Sequence, residues 1–206
     1  MARQTAGGSG RPRKFDEAVA VHQAMQVFWR HGFDGATAES LSAATGLGIS
    51  SLYNAFGSKR GLYLAALDTY NQLLGDRLMP LTRGKEGLAD IDKFLRQLWQ
   101  SKTGSQALPG CLMANAMGEG MALAPDVATR TEIYETNIHA AFRSALTRAV
   151  AHGEIKGDAV DPMAGVLSSS LIGSLVSSRN KGGTLDETLT GSLMLALRQW
   201  SDARGI

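Results

Sequence analysis

Apolar residues along this chain recur at spacings of three and four, and no segment sustains the period-two alternation of a strand. The pattern predicts an all-α protein of about nine helices. The first runs from about 16 to 31, burying Ala18, Val21, Met25, Phe28 and Trp29, and stops at Gly32. Asp16 is placed to cap it and Phe15 to staple it. Two short helices follow at roughly 38–45 and 49–56. A fourth starts at Ser58 and carries Leu62, Leu67, Tyr70, Leu73 and Leu74 towards Pro80. The fifth, near 86–102, sets Leu88, Ile91, Leu95, Leu98 and Trp99 on one face. After a loop over 102–109, helices are expected near 110–123, 126–152, 162–180 and 184–203. Asp161-Pro162 has the form of an N-cap followed by proline in the first turn.

The two short helices carry the first functional signal. Gly46 stands where a first helix must end in a left-handed cap, and Leu41, Leu47 and Leu52 are spaced to fill the angle between two helices. Small Ser42 and Ala43 allow a close approach. This is the pattern of a helix-turn-helix, and it suggests three segments: a basic arm over 1–14, a DNA-binding head over 15–60 and a helical body over 61–206. Charge agrees with that division. The whole chain has a formal net charge of +2, but residues 1–60 hold seven Lys/Arg against four Asp/Glu, hence +3, leaving fourteen against fifteen, hence −1, for the rest. The positive excess lies where a phosphate backbone would be met.

The single cysteine, Cys111, excludes an internal disulfide and any zinc site needing several thiolates. Nothing in the sequence points to a cofactor, a metal or a catalytic constellation. The first ten residues lack the apolar core of a secretory signal. The most apolar window, 166–176, is interrupted by serine and glycine and falls short of the ~20 residues that span a bilayer. A cytoplasmic protein without a membrane partner is the expectation.

The run Leu52-Tyr53-Asn54-Ala55-Phe56-Gly57-Ser58-Lys59, with Gly10-Arg-Pro-Arg-Lys14, Gly32-Phe33 and Thr37 before it, resembles the DNA-binding head of the TetR family of bacterial transcriptional repressors. The motif-bearing resemblance covers about residues 11–75, and the segment Pro109–Asn115 is similar to one found in a subset of the family. The resemblance implies a homodimer that binds a palindromic operator in double-stranded DNA and leaves it when a small-molecule effector fills the body. It also implies that Thr37, Tyr53 and Lys59 hold phosphates, which fixes register rather than sequence. Ser50, Ser51 and Asn54 would face base edges, asparagine being the natural bidentate partner of adenine. Ile49 departs from the basic residue many relatives carry there, so no relative's sequence preference transfers. Arg11, Arg13 and Lys14 look like a minor-groove arm, or equally a solvated basic tail.

In the body, Cys111, Asn115 and Glu119 fall on one helical face, and Met113, Met117 and Met121 form another row. A methionine row suits an adaptable ligand pocket and suits an ordinary core at least as well. Asn115 and Glu119 are suited to ligand recognition or to internal hydrogen bonds. Phe94, Trp99, Tyr134, Asn137, His139 and Phe142 are candidates to complete an effector pocket. At a helix N-terminus the Cys111 thiolate would be favoured by the helix dipole, so an electrophile or redox sensor stands beside a buried apolar thiol. A thiol enzyme pairing Cys111 with His139 or His152 is a remote rival without a signature; an activator that needs no ligand is another.

The last two helices carry the oligomer argument. Gly165, Ser169, Gly173 and Ser177 recur every four residues beside Leu167, Leu171 and Leu175. The final helix has Leu185, Leu189, Leu193, Leu197 and Trp200 on one stripe. A bundle between two protomers would use Leu167, Leu171, Gly173, Leu175, Leu189, Leu193 and Trp200.

Overall fold

A computed structural model describes residues 15–101, 110–119, 124–157, 160–179 and 187–202. Among these the chain is entirely helical outside its turns, with ten helices: α1 (Glu17–Gly35), α2 (Ala38–Thr45), α3 (Ile49–Phe56), α4 (Lys59–Arg77), α5 (Met79–Arg83), α6 (Leu88–Ser101), α7 (Leu112–Gly118), α8 (Pro125–Ala151), α9 (Val160–Arg179) and α10 (Glu187–Asp202). The periodicity expected nine. The extra one, α5, is a single turn with a proline in its first turn, too short for an apolar period to register.

Helices α1–α3 form a head whose core is shared with α4. Asp16 Oδ1 accepts from the amides of Ala18 and Val19, which starts α1. The chain breaks at Gly32, with φ 72° and ψ 179°, and then makes one further turn. On the α4 side, Phe28 and Phe33 lie 5.0 and 5.1 Å from the Tyr63 ring, and Trp29 stands edge-on to Tyr70 at 5.1 Å. One long helix thus belongs to both parts, since its start packs on the head and its end enters the body.

The body wraps α4–α7 and α10 around the long α8 and its neighbour α9. Phe142 and Phe94 meet edge-on at 5.8 Å between α8 and α6. Arg148 donates to the Leu81 carbonyl at 2.6 Å and to Asp90 at 3.1 Å, which fastens α5 and α6 to α8.

Three expectations change. Asp161 is not a cap: α9 already starts at Val160, and the Asp161 carboxylate instead accepts from Arg143 at 2.7 Å. The predicted helix over 110–123 is α7, only seven residues long and ending at Gly118. Helix α9 has 20 residues, long and apolar enough by length and composition to cross a membrane, whereas the interrupted window suggested otherwise. Its Met163, Ala164, Leu167, Leu171 and Leu175 are buried inside the chain's own core.

That burial also corrects the expected dimer face. Leu167, Leu171 and Leu175 point inward against their own protomer, and Leu193 is buried as well. Helical geometry separates the two rows on α9 that sequence spacing merged. The outward side carries Val166, Ser169, Gly173, Val176 and Ser177, all exposed, and of the four α9 residues expected at the dimer face only Gly173 lies there. The side chains of Leu189 and Trp200 lie outside the described residues.

Candidate DNA interface and effector cavity

In the helix-turn-helix, Thr37 Oγ1 caps α2 by accepting from the Ser40 amide at 3.1 Å. Helix α2 ends at Gly46 in the left-handed conformation, φ 65°, and the Ser42 hydroxyl closes the turn by donating to the Leu47 carbonyl at 2.6 Å. Leu41 and Leu52 are fully buried and Leu47 is packed beside them, so three leucines set the angle between α2 and α3. The opposite side of α3 is open: Ser50, Ser51 and Asn54 are exposed and Tyr53 is half-buried. Ile49 is exposed at the start of the same helix.

Ser58 caps α4 by accepting from the Gly61 amide at 3.0 Å. Lys59 follows at once. Its ammonium lies 4.7 Å over the Phe33 ring and donates to the Asp34 carbonyl at 3.4 Å, so it is held against the last turn of α1. Arg60, not singled out by sequence, forms a bidentate pair with Asp126 at the start of α8. The hydrogen bond from Arg60 holds the Asp126 carboxyl below the usual carboxylate range. Arg11, Arg13 and Lys14 lie outside the described residues.

An inner cavity of about 30 Å³ lies in the body between α4, α6, α8 and α9. Tyr70, Leu74, Arg77, Leu78, Phe94, Leu98, Tyr134, Ile138, Leu171 and Leu175 wall it. Its volume is about that of one water, so any larger guest must part the walls. Arg77 is the charged wall residue, its guanidinium 6.0 Å from the centroid of the Tyr70 ring. Beside the cavity, Cys111 Sγ sits 3.1 Å from the Tyr70 hydroxyl and 3.2 Å from that of Tyr134. Cys111 caps α7 by position only; its thiol makes no cap hydrogen bond and is buried among the two phenols. Burial, then the neighbouring thiol, pushes both phenols well above their ordinary pKa and keeps them neutral.

The other pocket candidates scatter. Phe94 and Tyr134 wall the cavity, and Phe142 meets Phe94 edge-on. Trp99 and Met117 are half-buried at the core's margin. Asn115 is buried near Gly110 and the Leu175 carbonyl, while Asn137 is exposed on α8. His139 lines a separate open groove of about 610 Å³ between α8 and α9, with Glu135, Gly165, Ser169 and Gly173. Glu119 leaves the pocket altogether: its carboxylate accepts from the Phe33 amide at 3.1 Å and from Arg179 at 2.9 Å. The walls that sequence missed are Tyr70, Leu74, Arg77, Leu78, Leu98, Ile138, Leu171 and Leu175. Tyr70, Leu74 and Arg77 at spacings of four and three share one face of α4, a signal that was present but looked like ordinary core.

An exposed recognition helix on a compact head, joined by a shared helix to a body with an inner cavity, defines a class: a helix-turn-helix DNA-binding regulator. Residues 20–66 match the family model for bacterial regulatory proteins of the tetR family. The chain is 29% identical over 156 residues to the uncharacterized HTH-type transcriptional regulator YezE of Bacillus subtilis, covering 74% of this chain and 79% of that protein. It is 43% identical over 61 residues to the HTH-type transcriptional repressor ComR of Escherichia coli, covering 30% of this chain and 29% of the relative. Among solved structures it is similar to a cysteine mutant of the TetR family transcriptional regulator CifR complexed with 26-base-pair operator DNA. That likeness has a TM-score of 0.78 at 30% identity and covers 93% of this chain and all of that one. The chain belongs to the TetR family of transcriptional regulators, and it is not an enzyme.

Proposed function

We propose that the protein is a cytoplasmic, homodimeric repressor that sits on a palindromic operator and is released when a small molecule enters the inner cavity. The observation that carries this is the position of the cavity: Tyr70, Leu74 and Arg77 on α4 form part of its wall. The same helix begins at Lys59, three residues after the recognition helix ends. A guest that parts the walls displaces α4, and with it the head. DNA and effector then oppose each other reciprocally. Thr37, Tyr53 and Lys59 meet phosphates, and Ser50, Ser51 and Asn54 meet base edges. Two protomers pair through the outward side of α9, where Val166, Gly173 and Val176 are exposed, together with α10. Wall chemistry favours a mostly apolar effector with an acceptor group for Arg77 or the phenols.

The test is to select operator sequences from a random DNA pool with the purified protein, then to screen metabolites for release of the bound fragment. A palindromic consensus and a releasing compound that fails against a cavity-filling Leu171→Trp variant support the proposal. Selection of a non-palindromic site by a monomer, or release unaffected by that variant, would refute it.

A second mode of control has its own observation, the Cys111 thiol held between two phenols at the cavity wall. Adding a group to that sulfur would force Tyr70 and Tyr134 apart and act as a guest does. Hydrogen peroxide or iodoacetamide should then release operator from the native chain and not from Cys111→Ser; equal release from both excludes it.

A further inference from the structure

Helix α7 begins at Cys111, against the cavity walls, and its other end is Glu119. Seven helical residues separate them, a rod of ~10 Å. Glu119 reaches across to the head. One carboxylate oxygen accepts from the Phe33 amide and the other from Arg179 in the last turn of α9. The Phe33 amide needs an outside acceptor, because the break at Gly32 interrupts the helical ladder there. Glycine suits position 32 twice over: its φ of 72° with ψ 179° disfavours a side chain, and a Cβ there would lie 2.5 Å from the Glu119 carboxylate. The turn that Glu119 grips is the one holding Lys59, through the Phe33 ring and the Asp34 carbonyl.

We propose that Glu119 is a positioning residue for DNA binding, fixing the Phe33–Asp34 turn so that the Lys59 ammonium is aimed at the phosphate backbone. This rests on the assignment of Lys59 to a phosphate. Both helices that converge on Glu119 touch the cavity walls: α7 through Cys111, against Tyr70, and α9 through Leu171 and Leu175. Parting the walls therefore withdraws the acceptor from Phe33 and loosens Lys59, without any change in the recognition helix itself. A carboxylate is suited to the task because it accepts from both sides at once, and the charge-assisted bond to Arg179 is stronger than a neutral one.

The test is a double-mutant cycle on the selected operator, with melting temperatures recorded for every variant. Lys59→Ala alone should weaken binding about tenfold and lower the salt slope by about one. Glu119→Ala should weaken it about fivefold and lower the salt slope by a fraction of one, a readout that loss of stability alone does not move. Glu119→Gln keeps the shape and one acceptor and should lose about threefold, and it carries the same cycle if the alanine variant unfolds. In the Lys59→Ala background, both Glu119 substitutions should have no further effect. If their losses add in full to that of Lys59→Ala, or the salt slope stays at the native value, Glu119 does not act through Lys59 and the proposal fails. If Lys59→Ala itself binds as the native chain does, the phosphate assignment fails first and takes the proposal with it.

Discussion

Head and body handle polar chemistry in opposite ways. In the head, the functional groups point outward from short helices: Ser50, Ser51 and Asn54 are exposed, and three leucines beneath them only hold the angle. In the body, the groups with distinctive chemistry are turned inward, the Cys111 thiol and the Tyr70 and Tyr134 phenols being enclosed near a cavity of about 30 Å³. A surface meant for a long, preformed polyanion can be displayed openly. Under the proposed function, a site to be filled by a guest must be closed enough that filling it costs movement, and that movement would be the signal.

The contrast can be broken most forcefully through the head's small core. Leu52→Ala should destabilise the head by about 2–5 kcal/mol and abolish operator binding. Calorimetry should show the body's transition retained; a single merged transition would mean that the two regions unfold as one unit. Next in size is Gly46→Ala. With φ at 65° and no atom near its missing Cβ, the cost is purely conformational, about 1–2 kcal/mol, and Gly46→Asn should recover part of it in denaturant melts. In the body, Tyr134→Phe should cost about 1 kcal/mol at neutral pH, because Cys111 loses one of its two hydroxyl neighbours. Since burial raises the Tyr134 pKa on folding, its contribution is complete below about pH 10 and is lost as pH rises towards the folded value. The variant should therefore be less sensitive to alkaline unfolding. The smallest effect concerns the tie between the regions. Asp126 is depressed by Arg60, so the pair stabilises fully above about pH 4 and fades as pH falls through the folded pKa. Asp126→Asn should melt slightly below the native chain at pH 7 and together with it at pH 2; a gap that persists in acid would assign the loss to something other than charge.

The head was legible almost throughout, with a miss at Ala18, which was expected in the core of α1 and is exposed because it sits in the first turn beside the cap. Helices α2 and α3 lie on the predicted spans, Asp16 caps α1 as expected, and Thr37 caps α2. Each of those features is local: a cap bonds two or three residues ahead, and a left-handed glycine answers to its own φ. The body was legible as helices but not as a site. Asn137 and His139 sat on the right helix and face other directions, and Glu119 belongs to the head's hinge instead of the pocket. Periodicity says that a helix has a buried row without saying which neighbour buries it, so Leu171 and Leu175 were assigned to a partner protomer when they wall the protomer's own cavity.

By itself, then, the sequence determined an all-α regulator with a DNA-reading head, because caps, turns and helical periods are set by residues near one another in the chain. Only the tertiary structure decided that Cys111 lies against two phenols 41 and 23 residues away, and that Glu119 meets an amide 86 residues earlier. Those contacts depend on how whole helices cross, and crossing is fixed by the packed core as a unit rather than by any local pattern.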